Sequence, residues 1–249
     1  MKIVFLGTSC AEPTAENGFT SFLVDTGRLL ILVDASGNPI QSILEAKRDP
    51  LALDLVVLTH YHADHIAGYP ALIQTLSCMG RQQGLSVICS QSTRSKAEEL
   101  LSILEMDATN TTFPVRFRDN YKDSSLEIHL LDGNHSVPTS MVAIRSEQKN
   151  LLYTSDTTFS ERIAELARGY RTLIHEATFS HSRVGEPGHE GHSSAYQAGL
   201  CAAEAEVDRL FLCHICWHKY AHLSAIVEEA RSAFQGEIIV PEPFTWYRF

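Results

Sequence analysis

The strongest constraint in this sequence is a dense group of metal-binding residue types directly behind an apolar run. Residues 53–58 read LDLVVL, the composition of a buried strand, and residues 59–68 read THYHADHIAG, which contains His60, His62, Asp64 and His65. Side chains two residues apart on an extended backbone point the same way, so His60 and His62 can bind one ion. Asp64 and His65 follow the turn towards the next helix and can bind a second ion. A helix cap needs only one such side chain, so the stretch predicts a metal site.

Strand and helix patterns alternate along the chain. We predict strands at 2–6, 21–25, 29–34, 53–58, 85–89, 126–131, 141–144, 151–154, 172–174, 210–213 and 237–240. Helices are predicted after Asn38-Pro39 and at 66–79, 92–104, 160–167, 193–205 and 222–233. The economical architecture is an α/β fold, a four-layer αββα sandwich in a single domain covering residues 1–249. The alternation alone equally permits a doubly wound parallel sheet.

The charge balance limits the partners. The 20 basic and 30 acidic residues give a formal charge of −10. Nucleic-acid binding draws on Lys and Arg, and no long basic run is present, so a small anionic substrate is the better expectation. No window approaches eighteen apolar residues and the start does not resemble a secretory leader, so we expect no membrane span and a cytoplasmic location.

The six cysteines are scattered, mostly in apolar stretches, at positions 10, 78, 89, 201, 213 and 216. This pattern predicts reduced core thiols rather than a disulfide framework. Cys213 and Cys216 have the spacing of a zinc knuckle, but no second pair accompanies them, so core packing is the prediction for both.

Further metal donors follow other predicted strands. His135, Asp156 and His214 each come just after an apolar run. One such residue alone is usually a turn or capping residue. Three of them, at the ends of three predicted strands, are the donors that a two-ion site would need in addition to residues 60–65.

These residues carry a resemblance to a known family. THYHADHIAG resembles the HxHxDH signature of the metallo-β-lactamase superfamily, and His135, Asp156 and His214 fall in its order. The resemblance covers essentially the whole chain, and FLGTSCAEPT (5–14), IHEATF (174–179) and GHSSAYQAG (191–199) resemble the ribonuclease Z branch.

The resemblance implies the αββα fold and a dinuclear centre. One ion would be held by His60, His62 and His135, the other by Asp64, His65 and His214, with Asp156 bridging them beside a solvent oxygen. Two zinc ions per chain are expected, with manganese or iron as alternatives. Zinc lowers the pKa of bound water from 15.7 to about 7, so hydroxide becomes available at neutral pH, and Asp64 would orient or deprotonate it.

The resemblance also implies a second catalytic pair. Glu176 would orient His192, which would act on the phosphate or the leaving oxygen; the alternative for His192 is support of the helix cap near Ser193. We expect a structural role for His175. His181 and His189 are expected to be exposed or to line the rim of the substrate site.

Two departures from ribonuclease Z bear on the substrate. The interval from His135 to Asp156 is a plain strand–turn–strand pattern, with no room for the long arm that grips tRNA in that family. The stretch LCHICWHKY (212–220) places Cys216 where the family has a phosphate-contacting serine. His218 and Lys219 could supply positive charge to a phosphate, and Trp217 could stack on a base or pack on the core.

The function predicted from these features is a metal-dependent hydrolase. Its expected substrate is a small phosphodiester, such as a cyclic nucleotide or a short nucleic-acid fragment, with tRNA disfavoured. The alternatives are hydrolysis of an ester, thioester or lactone by the same centre, tRNA 3′ processing, and a non-catalytic binding role. The sequence leaves a homodimer open.

Overall fold

The computed structural model describes residues 1–106 and 110–248, so four residues of the predicted domain (107–109 and 249) lie outside the description. One sheet contains β1 (Lys2–Gly7), β2 (Ser21–Asp25), β3 (Leu30–Val33), β4 (Leu53–Val57), β5 (Leu85–Ile88), β6 (Val115–Arg118) and β14 (Trp246–Arg248). The other contains β7 (Asn120–Lys122), β8 (Leu126–Asp132), β9 (Ser140–Ser146), β10 (Asn150–Tyr153), β11 (Thr172–Glu176), β12 (Arg209–Cys213) and β13 (Glu237–Ile239).

The helices lie outside the sheets. They are α1 (Pro39–Glu45), α2 (Ala63–Ile66), α3 (Tyr69–Cys78), α4 (Gln91–Ile103), α5 (Glu161–Ala167), α6 (Ala195–Glu204) and α7 (Leu223–Arg231). Short 3-10 helices cover Pro50–Ala52, His181–Arg183 and Trp217–Lys219. None of these described helices is long and apolar enough to cross a membrane.

Two sheets packed face to face form the centre of the molecule. The strand orders are β14-β1-β2-β3-β4-β5-β6 and β13-β12-β11-β10-β9-β8-β7. Apolar side chains from both, among them Phe5, Phe22 and Phe211, form a core between them. Two further cores join each sheet to its helices, so strands such as β3 and β4 are apolar on both faces. This confirms the αββα sandwich, and the doubly wound single sheet is wrong.

Strand direction determines where a site can form. In each sheet four neighbouring strands run parallel: β3 to β6 in the first and β10 to β13 in the second. The carboxyl ends of parallel strands meet at one edge of a sheet, and loops on such an edge are held by a rigid scaffold. The loops after β3 and β4 therefore meet at one edge of the first sheet, and those after β10, β11 and β12 meet at one edge of the second. The contact of His214 Nε2 with Asp64 Oδ2 at 3.3 Å shows that these two edges adjoin, and together they form a shared edge.

Two details differ from the sequence predictions. The predicted helix 66–79 is two helices, α2 and α3, because Gly68 lies against the loop after β3, where a Cβ would be 2.7 Å from the carbonyl oxygens of Ala35 and Gly37. Helix α3 then begins at Tyr69, with Pro70 in its first turn. The strands β6, β7 and β14 were not predicted, because they are short edge strands with exposed polar residues and lack a buried apolar run.

Candidate metal centre

All seven predicted metal donors lie together at the shared edge. One group contains His60, His62, His135 and Asp156; a second contains Asp64, His65 and His214. Within each group the potential ligand atoms lie within 4.8 Å of one another. The loops after β4, β10 and β12 supply most of these residues, and His135 comes from the turn between β8 and β9.

Asp156 lies between the two groups. Its Oδ2 is 3.2 Å from His214 Nε2, 3.4 Å from His65 Nε2 and 3.7 Å from His60 Nε2. Burial by itself would raise the pKa of the Asp156 carboxyl, but the His214 and His65 rings hold that pKa well below its usual range. A buried carboxylate surrounded by imidazoles from both groups has the position of a bridging ligand.

Three neutral imidazoles converge in the first group. His62 Nδ1 is 3.2 Å from His60 Nε2 and 3.1 Å from His135 Nε2. Burial lowers the pKa of all three rings, and that of His60 falls furthest, with His65 adding to the effect. The Nδ1 atoms of His60 and His135 donate elsewhere, to Thr59 Oγ1 and the Gly191 carbonyl, so both Nε2 atoms present lone pairs. Both Nε2 atoms lie close to His62 Nδ1, and the single proton of a neutral His62 ring cannot form a hydrogen bond to each of them.

In the part of the chain that the structure describes, each group also contains a buried polar atom without a partner. Within residues 1–106 and 110–248, neither His65 Nε2 nor Asp156 Oδ1 has a hydrogen-bond partner, although both are buried. An unpaired buried polar atom costs about 1–3 kcal/mol, and coordination of a cation would satisfy both of these atoms. Imidazole and carboxylate donors suit zinc, and the residues present fit a metal in both groups.

Asp34, which the sequence analysis did not single out, supports both groups. It is buried at the end of β3 with φ +59°. Its Oδ2 accepts from His65 Nδ1 at 2.8 Å and from the Thr59 hydroxyl at 3.0 Å, and Thr59 Oγ1 accepts from His60 Nδ1 at 3.0 Å. One carboxylate thus orients one ring of each group with Nε2 towards the ions. In the sequence, Asp34 is distinguished only by its position at the end of a predicted apolar strand.

Glu176 and Thr178 provide the same support from the other sheet. Thr178 Oγ1 donates to Glu176 Oε2 at 2.6 Å and lies 2.9 Å from His214 Nδ1. The buried Glu176 also accepts from the backbone N–H groups of Thr157 at 2.7 Å and Ser193 at 3.0 Å. The role of Thr178 was not predicted, although Thr178 lies within the IHEATF stretch, because its partner His214 is distant in the sequence.

His192 lies beside Glu176, as predicted. Its Nδ1 is 3.1 Å from Glu176 Oε1, and its ring lies 4.8 Å from the His135 ring and 5.2 Å from the His214 ring. Burial lowers the pKa of His192, but the charge and hydrogen bond of Glu176, together with the charges of Asp156 and Asp64, raise it to about 9. Helix α6 does not need His192 as a cap, since Ser194 and Gln197 form its capping box.

The other predicted histidines divide into structural and exposed residues. His175 is buried, and among the described residues its ring bonds only to the Glu176 carbonyl, through Nδ1 at 2.8 Å. His181 is exposed, with Nδ1 3.0 Å from Ser194 Oγ. The expectation of an exposed or rim position is wrong for His189, which is buried and stacks on Phe179 at 4.3 Å. Its loop folds back on itself, which the Gly-rich sequence did not reveal.

The cysteine prediction is wrong for one pair. Cys10 and Cys216 form a disulfide, while the remaining four cysteines are free. No zinc knuckle forms, because Cys213 lies in the core between the sheets. The loops after β1 and β12 are adjacent, and their contact joins residues 206 positions apart, which no local pattern predicts.

Three residues after Cys216 were candidates for substrate contact. Trp217 packs partly buried against the second core and donates from Nε1 to Ser9 Oγ at 2.9 Å. His218 Nε2 lies 3.0 Å from Glu12 Oε2. Lys219 is partly exposed in the same short 3-10 helix. Trp217 therefore has a packing role, and His218 already has an acidic neighbour.

Comparison with known proteins identifies the family. The Beta-lactamase superfamily domain matches residues 29–215, and the chain belongs to this superfamily as a ribonuclease Z-like member of its metallo-β-lactamase group. Ribonuclease Z of Haloarcula marismortui is 26% identical over an alignment of 298 positions that covers 97% of this chain and 94% of that protein.

Solved structures show the same fold. The metallo-beta-lactamase fold protein YhfI from Bacillus subtilis superposes with a TM-score of 0.85 at 21% identity, covering 99% of this chain and 98% of that one. The short form of human tRNase Z has a TM-score of 0.80 at 18% identity, covering 100% and 99%. Membership of this family and the set of metal donors together identify the chain as a metal-dependent hydrolase.

Proposed function

We propose that this protein is a phosphodiesterase with a dinuclear metal centre, acting on a small phosphodiester such as a cyclic nucleotide or short nucleic-acid fragment. The observation that carries the proposal is the Glu176–His192 pair beside the donor set, with Glu176 Oε1 3.1 Å from His192 Nδ1. A protonated imidazole next to a metal centre can bind a phosphate oxygen and protonate a leaving oxygen.

Two zinc ions are the proposed cofactor. His60, His62 and His135 would hold one, Asp64, His65 and His214 the other, and Asp156 would contact both. When bound, such ions lower the pKa of water and polarise a phosphoryl oxygen. Asp64 Oδ2 lies 3.3 Å from His214 Nε2, and its side chain is 12% exposed. Asp64 can therefore contact solvent in the site and orient it.

The acid role belongs to His192. Its Nδ1 proton is held by the Glu176 carboxylate, so Nε2 is the atom that can deliver a proton to the leaving oxygen. Its ring stacks on the His214 ring and meets the His135 ring edge-on, and 19% of the side chain is exposed. A substrate phosphate in contact with the metal donors would therefore lie beside this proton.

The chain segment between His135 and Asp156 favours a small substrate. That interval holds β9, a tight turn and β10, and no protruding arm. The 298-position alignment is longer than this 249-residue chain, so the Haloarcula relative contains residues without a counterpart here. The charge of −10 adds repulsion towards a long polyanion. The likeness to ribonuclease Z favours tRNA 3′ processing as the second candidate.

We further propose that residues 1–249 act as one domain in the cytoplasm. Hydrolysis of an ester, a thioester or a lactone would use the same metal centre. Only experiment distinguishes these alternatives from the proposed phosphodiesterase activity. A binding role without catalysis would not call for Glu176 and His192 beside the ligands.

Turnover assays test the proposal directly. Purified protein with zinc or manganese should hydrolyse bis(p-nitrophenyl) phosphate faster than p-nitrophenyl acetate, a thioester or a lactone. Asp64→Ala and His192→Ala should lose the activity, and His181→Ala, in an exposed histidine of the same region, should keep it. A 3′-extended precursor tRNA forms the comparison arm. Failure on the phosphodiester with metals bound would overturn the proposal, and preference for the tRNA would select the second candidate.

A further inference from the structure

We propose that the chain has another metal site, separate from the catalytic donors, that binds zinc or a similar thiophilic ion when one disulfide is reduced. Its ligands are Cys10, Glu12, Cys216 and His218. The site joins the loop after β1 to the loop after β12. The structure shows the oxidised form, in which Cys10 and Cys216 are bonded.

The two loops present matching pairs of donors. Cys10 and Glu12 are two residues apart, as are Cys216 and His218. Backbone hydrogen bonds hold the loops side by side: Ile215 N donates to Thr8 O at 2.9 Å and Cys10 N donates to Ile215 O at 3.1 Å. The Cα atoms of the two cysteines are 5.4 Å apart. All four side chains are therefore brought to one place by the backbone, with or without the disulfide.

Two of the separations are close to those between the ligands of a tetrahedral ion. Glu12 Oε1 is 4.0 Å from Cys216 Sγ, and Glu12 Oε2 is 3.0 Å from His218 Nε2. Zinc–ligand distances of about 2.3 Å to sulfur and about 2.1 Å to oxygen or nitrogen place tetrahedral neighbours about 3.4–3.8 Å apart. Rotation of the half-exposed Glu12 and His218 side chains, together with separation of the two sulfurs, would meet those values.

Burial and donor chemistry favour a thiophilic ion. Cys10 and Cys216 are 2% and 3% exposed, whereas the side chains of Glu12 and His218 are 54% and 58% exposed. An ion would thus bind with its sulfur ligands inside and its Glu and His ligands towards water. Thiolate with imidazole selects zinc over magnesium or calcium, and four protein ligands describe a closed, structural site.

Conversion of the disulfide into the metal site requires a reductant, and a dithiol can supply the electrons and protons. A reductant of the dithiol class forms its own disulfide, and its two electrons and two protons convert the Cys10–Cys216 bond into two thiols. Metal binding then displaces the two thiol protons. A cytosolic setting keeps such pairs reduced, so the metal-bound form is the one expected there.

The site has a consequence for the catalytic centre. Cys216 is two residues from His214, a proposed ligand of the catalytic ions, and its N–H donates to the Thr178 carbonyl at 3.1 Å. Either the disulfide or the ion would therefore anchor the loop that carries His214. The inference itself does not depend on the proposed phosphodiesterase activity.

Cobalt(II) substitution tests the site, because the catalytic donors contain no sulfur. The full chain, reduced with a phosphine or dithiol and loaded with cobalt under nitrogen, should show the intense near-ultraviolet thiolate-to-cobalt charge-transfer band. The oxidised chain should bind cobalt without that band. Elemental analysis should show one zinc ion more per chain in the reduced than in the oxidised form.

Variants assign the ligands. Cys216→Ser should abolish the band, while Glu12→Gln and His218→Ala should keep a weaker one with at least about tenfold lower cobalt affinity. Cys78→Ser, in an exposed free cysteine, is the matched control and should leave the band unchanged. The proposal is overturned if the reduced wild-type chain shows no band, if mass spectrometry finds the disulfide intact after dithiol treatment, or if Glu12 and His218 prove dispensable for affinity.

Discussion

The Glu176 carboxylate joins two histidines of the site at once. It accepts from His192 Nδ1 at 3.1 Å, and through the Thr178 hydroxyl it reaches His214 Nδ1. Asp34 does the same on the other side of the centre, contacting His65 directly and His60 through Thr59. Each sheet thus contributes one buried carboxyl and one threonine that orient the rings facing the ions.

Glu176→Gln should move the alkaline limb of the pH–rate profile to lower pH. Burial lowers the pKa of His192, but the charge and hydrogen bond of Glu176, with smaller contributions from Asp156 and Asp64, raise it to about 9, so the acid form is present below that pH and is lost as pH rises through it. Removing the charge lowers this pKa. The measurement is kcat/KM on bis(p-nitrophenyl) phosphate against pH, with His181→Gln as the control. An unmoved limb would show that His192 is not the acid.

His192→Ala should lower kcat by about 100-fold or more, which is the usual size of general acid catalysis. Metal content should stay near that of the wild type, because the proposed ligand set does not include His192. Steady-state kinetics and elemental analysis on the same preparation separate these effects. Loss of metal in parallel with activity would instead make His192 a ligand, as its grouping with Asp156 and His214 would allow.

Asp34→Asn should weaken zinc binding by about 10–100-fold, because the amide no longer orients His65 and the Thr59–His60 contact as a carboxylate does. Competition with a chromophoric chelator measures the affinity. Asp25→Asn is a suitable control, since that aspartate forms a partly exposed ion pair with Arg48. Equal affinities for both variants would remove Asp34 from the support of the site.

Thr178→Val and Thr178→Ser form a matched pair. Valine keeps the shape but removes the hydroxyl between Glu176 and His214, so metal affinity should fall by about tenfold or more. Serine keeps the hydroxyl and should retain most of the affinity. If both variants behave alike in the chelator competition, the methyl group and not the hydrogen bonds is what matters at this position.

Gly191→Ala should lose metal binding and activity far more than Gly188→Ala. Both glycines have positive φ, +86° and +82°, so backbone strain of about 1–2 kcal/mol is common to the two variants. Only at Gly191 would the new Cβ lie 2.6 Å from His135 Nδ1; nothing lies within 4 Å at Gly188. Thermal unfolding with zinc titration measures both, and equal effects would show that strain alone is responsible.

Much of the fold could be predicted because its information is local. Apolar runs such as 53–58 and 210–213 are long enough to identify buried strands. The edge strands β6 and β14 were missed, because an edge strand buries little and its pairing partners are distant in the chain. The break between α2 and α3 depends on the contact of Gly68 with Ala35, which the helical pattern does not contain.

The metal donors are visible in the sequence because histidine and aspartate at strand ends have few other reasons to cluster. The residues that orient them, Asp34, Thr59 and Thr178, are common residue types whose role depends on a partner in space. Cys10 and Cys216 show the same limit, since they meet only when β1 and β12 place their loops together.

The sequence by itself thus determined the class of fold, the donor set and the metal-dependent chemistry, because strand composition and ligand type are properties of short segments. Only the tertiary structure decided that Asp34, Thr59 and Thr178 orient the rings of the donor histidines, and that Glu12 and His218 lie beside a cysteine pair. Those are distances between segments far apart in the chain, and packing of the two sheets sets them.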